Sequence, residues 1–173
     1  MSMSLYDLSV ASFLQTVGAV AGVLERGLAH FTEKNTDLNE IVETRLFADM
    51  LPFRFQVQAV AHHSLGAIEG VKKGQFGPPA NLPAHDYRGL QKLVADTREA
   101  LQRLEPAEIN ALEGRDVVFQ TRDLKLPFTA EGFLLSFSLP NFYFHATTAY
   151  DILRMKGVPL GKRDFMGQLR MKR

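Results

Sequence analysis

Residues 140–154 read PNFYFHATTAYDILR. The run is long, apolar and aromatic, with one proline at its head and Gly157 and Pro159 beyond its end, so it reads as most of a helix. Thr129 is placed to cap that helix, with Glu131 in its first turn, and Pro140 is expected to kink it. Asn141, His145, Thr148 and Ile152 follow one another at steps of four, three and four, which puts three polar side chains on one face. A solvated stripe would explain them, and so would a polar pocket in a bundle core. The aromatic neighbours Phe142, Tyr143 and Phe144 leave little room for a fully wet face, which favours the pocket.

Three more helices precede this one. Ser4 with Asp7 forms a capping box, and Val10, Phe13, Val17, Val20, Leu24 and Phe31 make one helical face. Gly18 and Gly22 share a face of that helix, which reads as close approach of a neighbouring helix. Asp37 with Glu40 opens a second helical pattern, from Ile41 to about Val71. Pro52 interrupts it, as a kink or as a junction of two helices. After the loop GQFGPPANLP (74–83), Asp86 starts a third helix with Leu90, Leu93, Thr97, Leu101 and Leu104 buried and Pro106 as its stop. Val117 to Phe128 is rich in β-formers and reads as a small hairpin turning at Thr121–Asp123, with Pro127 marking an edge strand. The expected fold is all-α: a four-helix bundle, one domain over residues 1–173, with the hairpin inserted between helices three and four.

Composition narrows the function. The 173 residues include no cysteine, which removes disulfides, thiolate metal sites and a cysteine nucleophile. This suits a cytoplasmic protein. The net charge of +1 gives no global drive toward nucleic acid or an anionic membrane. From Ile152 onward there are seven Lys or Arg and one acid, so this segment carries +6 and the rest −5. No aromatic residues interleave with Arg170, Lys172 and Arg173, so stacking on bases is not indicated. Arg163 and Asp164 read as pins holding the tail to the body. No apolar run approaches the ~18 residues of a membrane span, so no membrane partner is expected. Neither a phosphate loop, a GxGxxG turn nor a nucleophile elbow is present.

The histidines carry the chemistry that remains. His30 and His85 sit near helix ends. His62 and His63 are adjacent and point about 100° apart. His62 shares a face with Phe55, Ala59 and Gly66, and His63 shares one with Asp49, Gln56 and Val60. Two histidines on facing helices could bind a divalent metal as neutral imidazoles, but a stable site wants three or four ligands. Position 149, one turn after His145, is Ala149, which cannot ligate. A core histidine is the other role open to His145. Asp49 stands in an apolar context before Pro52 and is a candidate acid or helix cap.

SLYDLSVASFLQTV (4–17), RLFADMLPFRFQVQ (45–58) and PNFYFHATTAYDILR followed by GVPLGKRDFMG (157–167) resemble an uncharacterised bacterial domain-of-unknown-function family. That family lies within the DinB/YfiT-like superfamily of proposed metalloenzymes. The resemblance implies an up-down-down-up bundle, often a homodimer. It also implies a divalent metal, zinc or nickel, held by three histidines. His62 would match the helix-two ligand, with His63 as the fallback, and His145 the first helix-four ligand. The second helix-four ligand would fall on Ala149. Two functions follow as expectations. One is a non-catalytic or degenerate-site homodimer holding a small molecule in a pocket lined by Asn141, His145 and Thr148. The other is a divalent-metal-dependent hydrolase or transferase using His62 and His145.

Overall fold

The computed structural model describes residues 3–79 and 82–172. Ser4 opens α1 (Leu5–Leu8): its hydroxyl accepts from the Asp7 amide at 3.2 Å, and the Asp7 carboxylate accepts from the Ser4 amide. Helix α2 (Val10–Glu33) follows at once, and α3 (Leu38–Glu43) begins where the Asp37 carboxylate accepts from the Asn39 amide. Pro52 makes neither a kink nor a helix junction. Residues 44–52 are an irregular loop, and Pro52 is the residue before α4 (Phe53–Ala61). This is where an amide is not needed by the helix. Helix α4 runs through a π-helical turn, π1 (His62–Gly66), into α5 (Ala67–Lys73).

Strand β1 (Gln75–Phe76) comes next, then α6 (Tyr87–Gln102), capped by Asp86 through the Gly89 amide at 2.7 Å. Pro106 does not simply stop that helix; it starts a further one, α7 (Pro106–Asn110). Strands β2 (Asp116–Gln120) and β3 (Lys125–Thr129) form the expected antiparallel hairpin, with Val118 opposite Pro127. Pro127 lies on the edge strand, where a missing amide breaks no ladder. The two-residue β1, in a stretch expected to be loop, adds a third, parallel strand on the other side of β2.

Helix α8 (Ala130–Phe133), a second π-helical turn, π2 (Leu134–Ser138), and α9 (Leu139–Met155) form one continuous helical run. Pro140 sits immediately after π2. The widened turn accommodates the proline's missing amide, which would otherwise force a sharp kink. Helix α10 (Lys162–Met166) closes the chain. It packs part of the basic C-terminal segment onto α2.

The bundle is four-sided. Helix α2 packs on α6 and α9, and α4 packs on α6 and α9, so α2 and α4 face each other diagonally. The core is aromatic: Phe13 meets Phe142 edge-on at 4.9 Å, and Tyr87 stacks on Phe53 at 5.9 Å. Phe13, Phe53, Phe133 and Phe142 are fully buried, each contributing about 1.5–3 kcal/mol by area. Helices α1 and α2 form a segment, Leu5–Glu33, long and apolar enough by length and composition to cross a membrane, which corrects the reading of apolar runs. Half of its most apolar window is buried in the bundle, as expected of a core helix.

Two glycine readings change. A Cβ on Gly18 would meet only the flexible end of Arg98, and one on Gly22 would meet nothing within 4 Å. Close approach is instead at Gly27, where a Cβ would lie 2.3 Å from the Tyr87 hydroxyl. Of the two expected pins, Asp164 holds the tail to the body, whereas Arg163 forms no ion pair with it among the described residues. Asp164 pairs with Arg26, Phe165 meets Tyr150 edge-on, and Gln15 donates to the Met166 carbonyl at 2.9 Å.

Candidate functional site

Where π1, β1 and the start of α9 meet, they enclose a cavity of about 210 Å³. Both π turns border it. A π turn inserts one extra residue, swings the following side chains round the helix and leaves carbonyls unpaired. Here the Ser138 hydroxyl, at the end of π2, donates to the His63 carbonyl of π1 at 2.6 Å. The two widened turns are thus tied together across the bundle. Phe76 of β1 fills the space beside them and is almost fully buried. Gly70 makes room for it, since a Cβ there would sit 2.9 Å from the Phe76 ring. Gly77 is equally constrained, with a Cβ position 2.5 Å from the Gln120 carbonyl.

The wall is mostly rings and prolines: Phe55, Phe76, Phe119, Phe137, Pro78 and Pro79, with Leu82. Four polar side chains join them: Gln58, His62, His63 and Asn141. His62 lies flat on Phe76 at 4.5 Å, and its Nε2–H donates to the Gly77 carbonyl at 2.9 Å. His63 lies between His62 and His145, with ring centroids 5.3 Å and 5.6 Å away, and it stacks nearly parallel to His145. His63 Nδ1 is buried with no hydrogen-bond partner among the described residues. His145 Nδ1–H donates to Gln56 Oε1 at 2.8 Å. Gln56 Nε2 donates in turn to the Leu51 carbonyl at 2.8 Å, which fixes the amide orientation and hence the His145 tautomer.

All three imidazoles are held neutral. Burial lowers His63 to about 3, assisted by the charges His62 and His145 would carry. Burial lowers His145 to about 4, with His62 adding to the shift. Burial also lowers His62, against the raising effect of its bond to Gly77.

The sequence-expected residues divide. His62, His63 and Asn141 border the cavity, and His145 stacks behind His63. Thr148 does not join them. Its hydroxyl donates to its own helix at the Phe144 carbonyl, and it borders a shallower groove with Leu46, Met50 and Tyr143. The pocket is therefore apolar with a few polar groups, where the residues suggested a polar one. Asp49 is exposed in the 44–52 loop and caps nothing. Gln56 and Gln58, which orient the site, had only one sequence signal: Gln56 shares a face with His63.

The superfamily's metal needs three converging donors. With its Nε2–H on the Gly77 carbonyl, His62 has only Nδ1 as a lone-pair donor, and that atom lies against Gly66 of its own helix; Ala149 is packed into the core. Among the described residues, no three His, Asp or Glu side chains are grouped to hold a metal ion. The side chains as arranged do not fit a three-donor divalent centre.

A helical bundle with a three-stranded insert and a histidine-flanked cavity at the insert's base defines a DinB-like protein. The crystal structure of a DinB family member protein from Shewanella denitrificans superposes with a TM-score of 0.77 at 26% sequence identity, covering 98% of this chain and 95% of that one. The family model described as "Domain of unknown function (DUF1993)" matches residues 5–166, and the chain belongs to that family. No curated protein matches it.

Proposed function

We propose that this chain is a cytoplasmic, non-catalytic DinB-like protein that holds a small organic molecule in the cavity beside His62 and His63. The observation that carries the reading is the wall itself. Aromatic rings enclose a space somewhat larger than the ~150 Å³ that suffices for benzene in an apolar cavity. The few polar groups are oriented by the fold before any ligand arrives, the usual design of a small-molecule site. The donor set supports no step through a metal, and among the described residues no nucleophile with an adjacent base stands at the wall.

Toluene at saturation should raise the melting temperature of the wild type by a few degrees, since a ligand that binds only the folded state stabilises it. Ala59 lies under the cavity and is nearly buried. Ala59→Leu should fill the space and abolish the toluene shift while leaving the fold intact. A toluene shift that is absent in the wild type, or unchanged in the variant, would overturn the proposal.

A homodimer completes the reading. Phe47, Leu51, Tyr143 and Phe144 are large, apolar and exposed, Phe144 by 57%. Such side chains suit a two-fold interface built on α9 and the 44–52 loop. Light scattering reads it as twice the chain mass, against a monomer mass if this face is left open.

A further inference from the structure

The cavity's polar atoms are unevenly used, and this bears on what fits it. Gln58 is 5% exposed. Its Nε2 donates to the Pro83 carbonyl at 2.7 Å and to His85 Nδ1 at 3.0 Å, so both amide hydrogens are committed. Its Oε1 accepts from none of the described residues. Asn141 uses one amide hydrogen on the Phe137 carbonyl at 2.7 Å, which leaves its Oδ1 as an acceptor. The N–H of His62 is committed to Gly77. What the wall still offers is the acceptors Gln58 Oε1, Asn141 Oδ1 and His62 Nδ1, against one free N–H each on Asn141 and His63. Among the described residues, no Asp, Glu, Lys or Arg borders the cavity. A charged ligand would lose its hydration with no counter-charge to replace it. A ligand without a donor would leave Gln58 Oε1 desolvated and unpaired, which is costly.

We propose, building on the reading above, that the cavity takes an uncharged, flat aromatic molecule of bicyclic size with one N–H or O–H donor aimed at Gln58 Oε1. The rings of Phe55, Phe76 and Phe137 contact the flat faces, and Gln58 selects the donor. The fixed amide makes Gln58 the specificity residue of the pocket.

Indole and benzofuran have nearly the same shape, but only indole carries an N–H. Calorimetric titration of the full chain with each, and with indole-2-carboxylate, tests the proposal. Indole should bind about five- to tenfold more tightly than benzofuran, the ratio expected for one neutral hydrogen bond. The carboxylate should bind more weakly than either. In Gln58→Met, which keeps the bulk and removes the acceptor, the two neutral ligands should bind alike. Should Gln58→Met fail to fold by circular dichroism, Gln58→Leu supplies a second variant without the acceptor, in which the indole preference should likewise disappear. Equal binding of indole and benzofuran by the wild type would overturn the donor assignment and leave the toluene-binding cavity standing. A preference that survives in Gln58→Met, or in Gln58→Leu, would do the same. Binding of neither compound, with no toluene shift, would overturn both proposals.

Discussion

Gly27→Ala should destabilise the protein by about 3 kcal/mol or more, combining overpacking with loss of a buried hydrogen bond. The new Cβ would fall 2.3 Å from the Tyr87 hydroxyl, and Leu153 closes the other side at 3.4 Å. Tyr87 has nowhere to go. It is 1% exposed, stacks on Phe53, meets Phe31 edge-on and donates to the Leu24 carbonyl at 2.9 Å. Burial also pushes its phenol pKa up, so the hydroxyl stays a donor at any ordinary pH. For a chain of this size, 3 kcal/mol lowers the melting temperature by about 6–12 °C. Tyr87→Phe removes the clashing oxygen, so adding it to Gly27→Ala should recover part of the loss. Equilibrium denaturation of the two single variants and the double variant measures this coupling. Additive effects would mean that the α2–α6 contact at Gly27 is looser than described.

Acid should weaken the fold through the histidine cluster. An exposed imidazole takes up its proton near pH 6.5. In the folded chain His145 does so only at about 4 and His63 at about 3. Their folded-state values are therefore depressed, and the unfolded chain binds more protons throughout the interval between. Stability is fully present above pH ~6.5 and is lost as the pH falls toward 4 and then 3. Each group can contribute a slope of at most about 1.4 kcal/mol per pH unit. Both rings keep some contact with solvent, so about half of that is expected, or about 2 kcal/mol between pH 7 and pH 5. His63→Phe keeps an aromatic ring in the stack and cannot protonate, so its loss over the same interval should be about half as large. Urea denaturation at the two pH values reads both. Equal losses in the two proteins would show that the cluster does not carry the acid sensitivity.

The bundle was legible in the sequence because its signals are local. Ser4 and Asp7, Asp86 and Gly89, and the periodic apolar stripes each act within one or two turns. The hairpin was legible for the same reason. What escaped depends on partners distant in sequence. Phe76 is two residues past a helix and looks like loop until β2 is there to pair with it. The π turns left no composition signal, yet they set which way His62 and His63 point. By the family resemblance His62 was the expected helix-two ligand, with His63 as the fallback. In the fold it turns to Gly77, while His63 faces His145. Gly18 and Gly22 drew attention by spacing, whereas Gly27, which is needed, has no partner visible along the chain. Thr148 lies on the same helical face as His145, but a face wide enough to touch two neighbours serves two different grooves.

The central claim is that this site holds an organic molecule in place of a three-histidine metal. Elemental analysis of untagged protein, after incubation with zinc or nickel and removal of the excess, tests it most directly. The account predicts well below ~1 metal per chain, with no difference between the wild type and His145→Ala. Close to ~1 metal per chain, lost in His145→Ala without loss of folding, would contradict it, because it would show three donors converging on a metal with His145 among them.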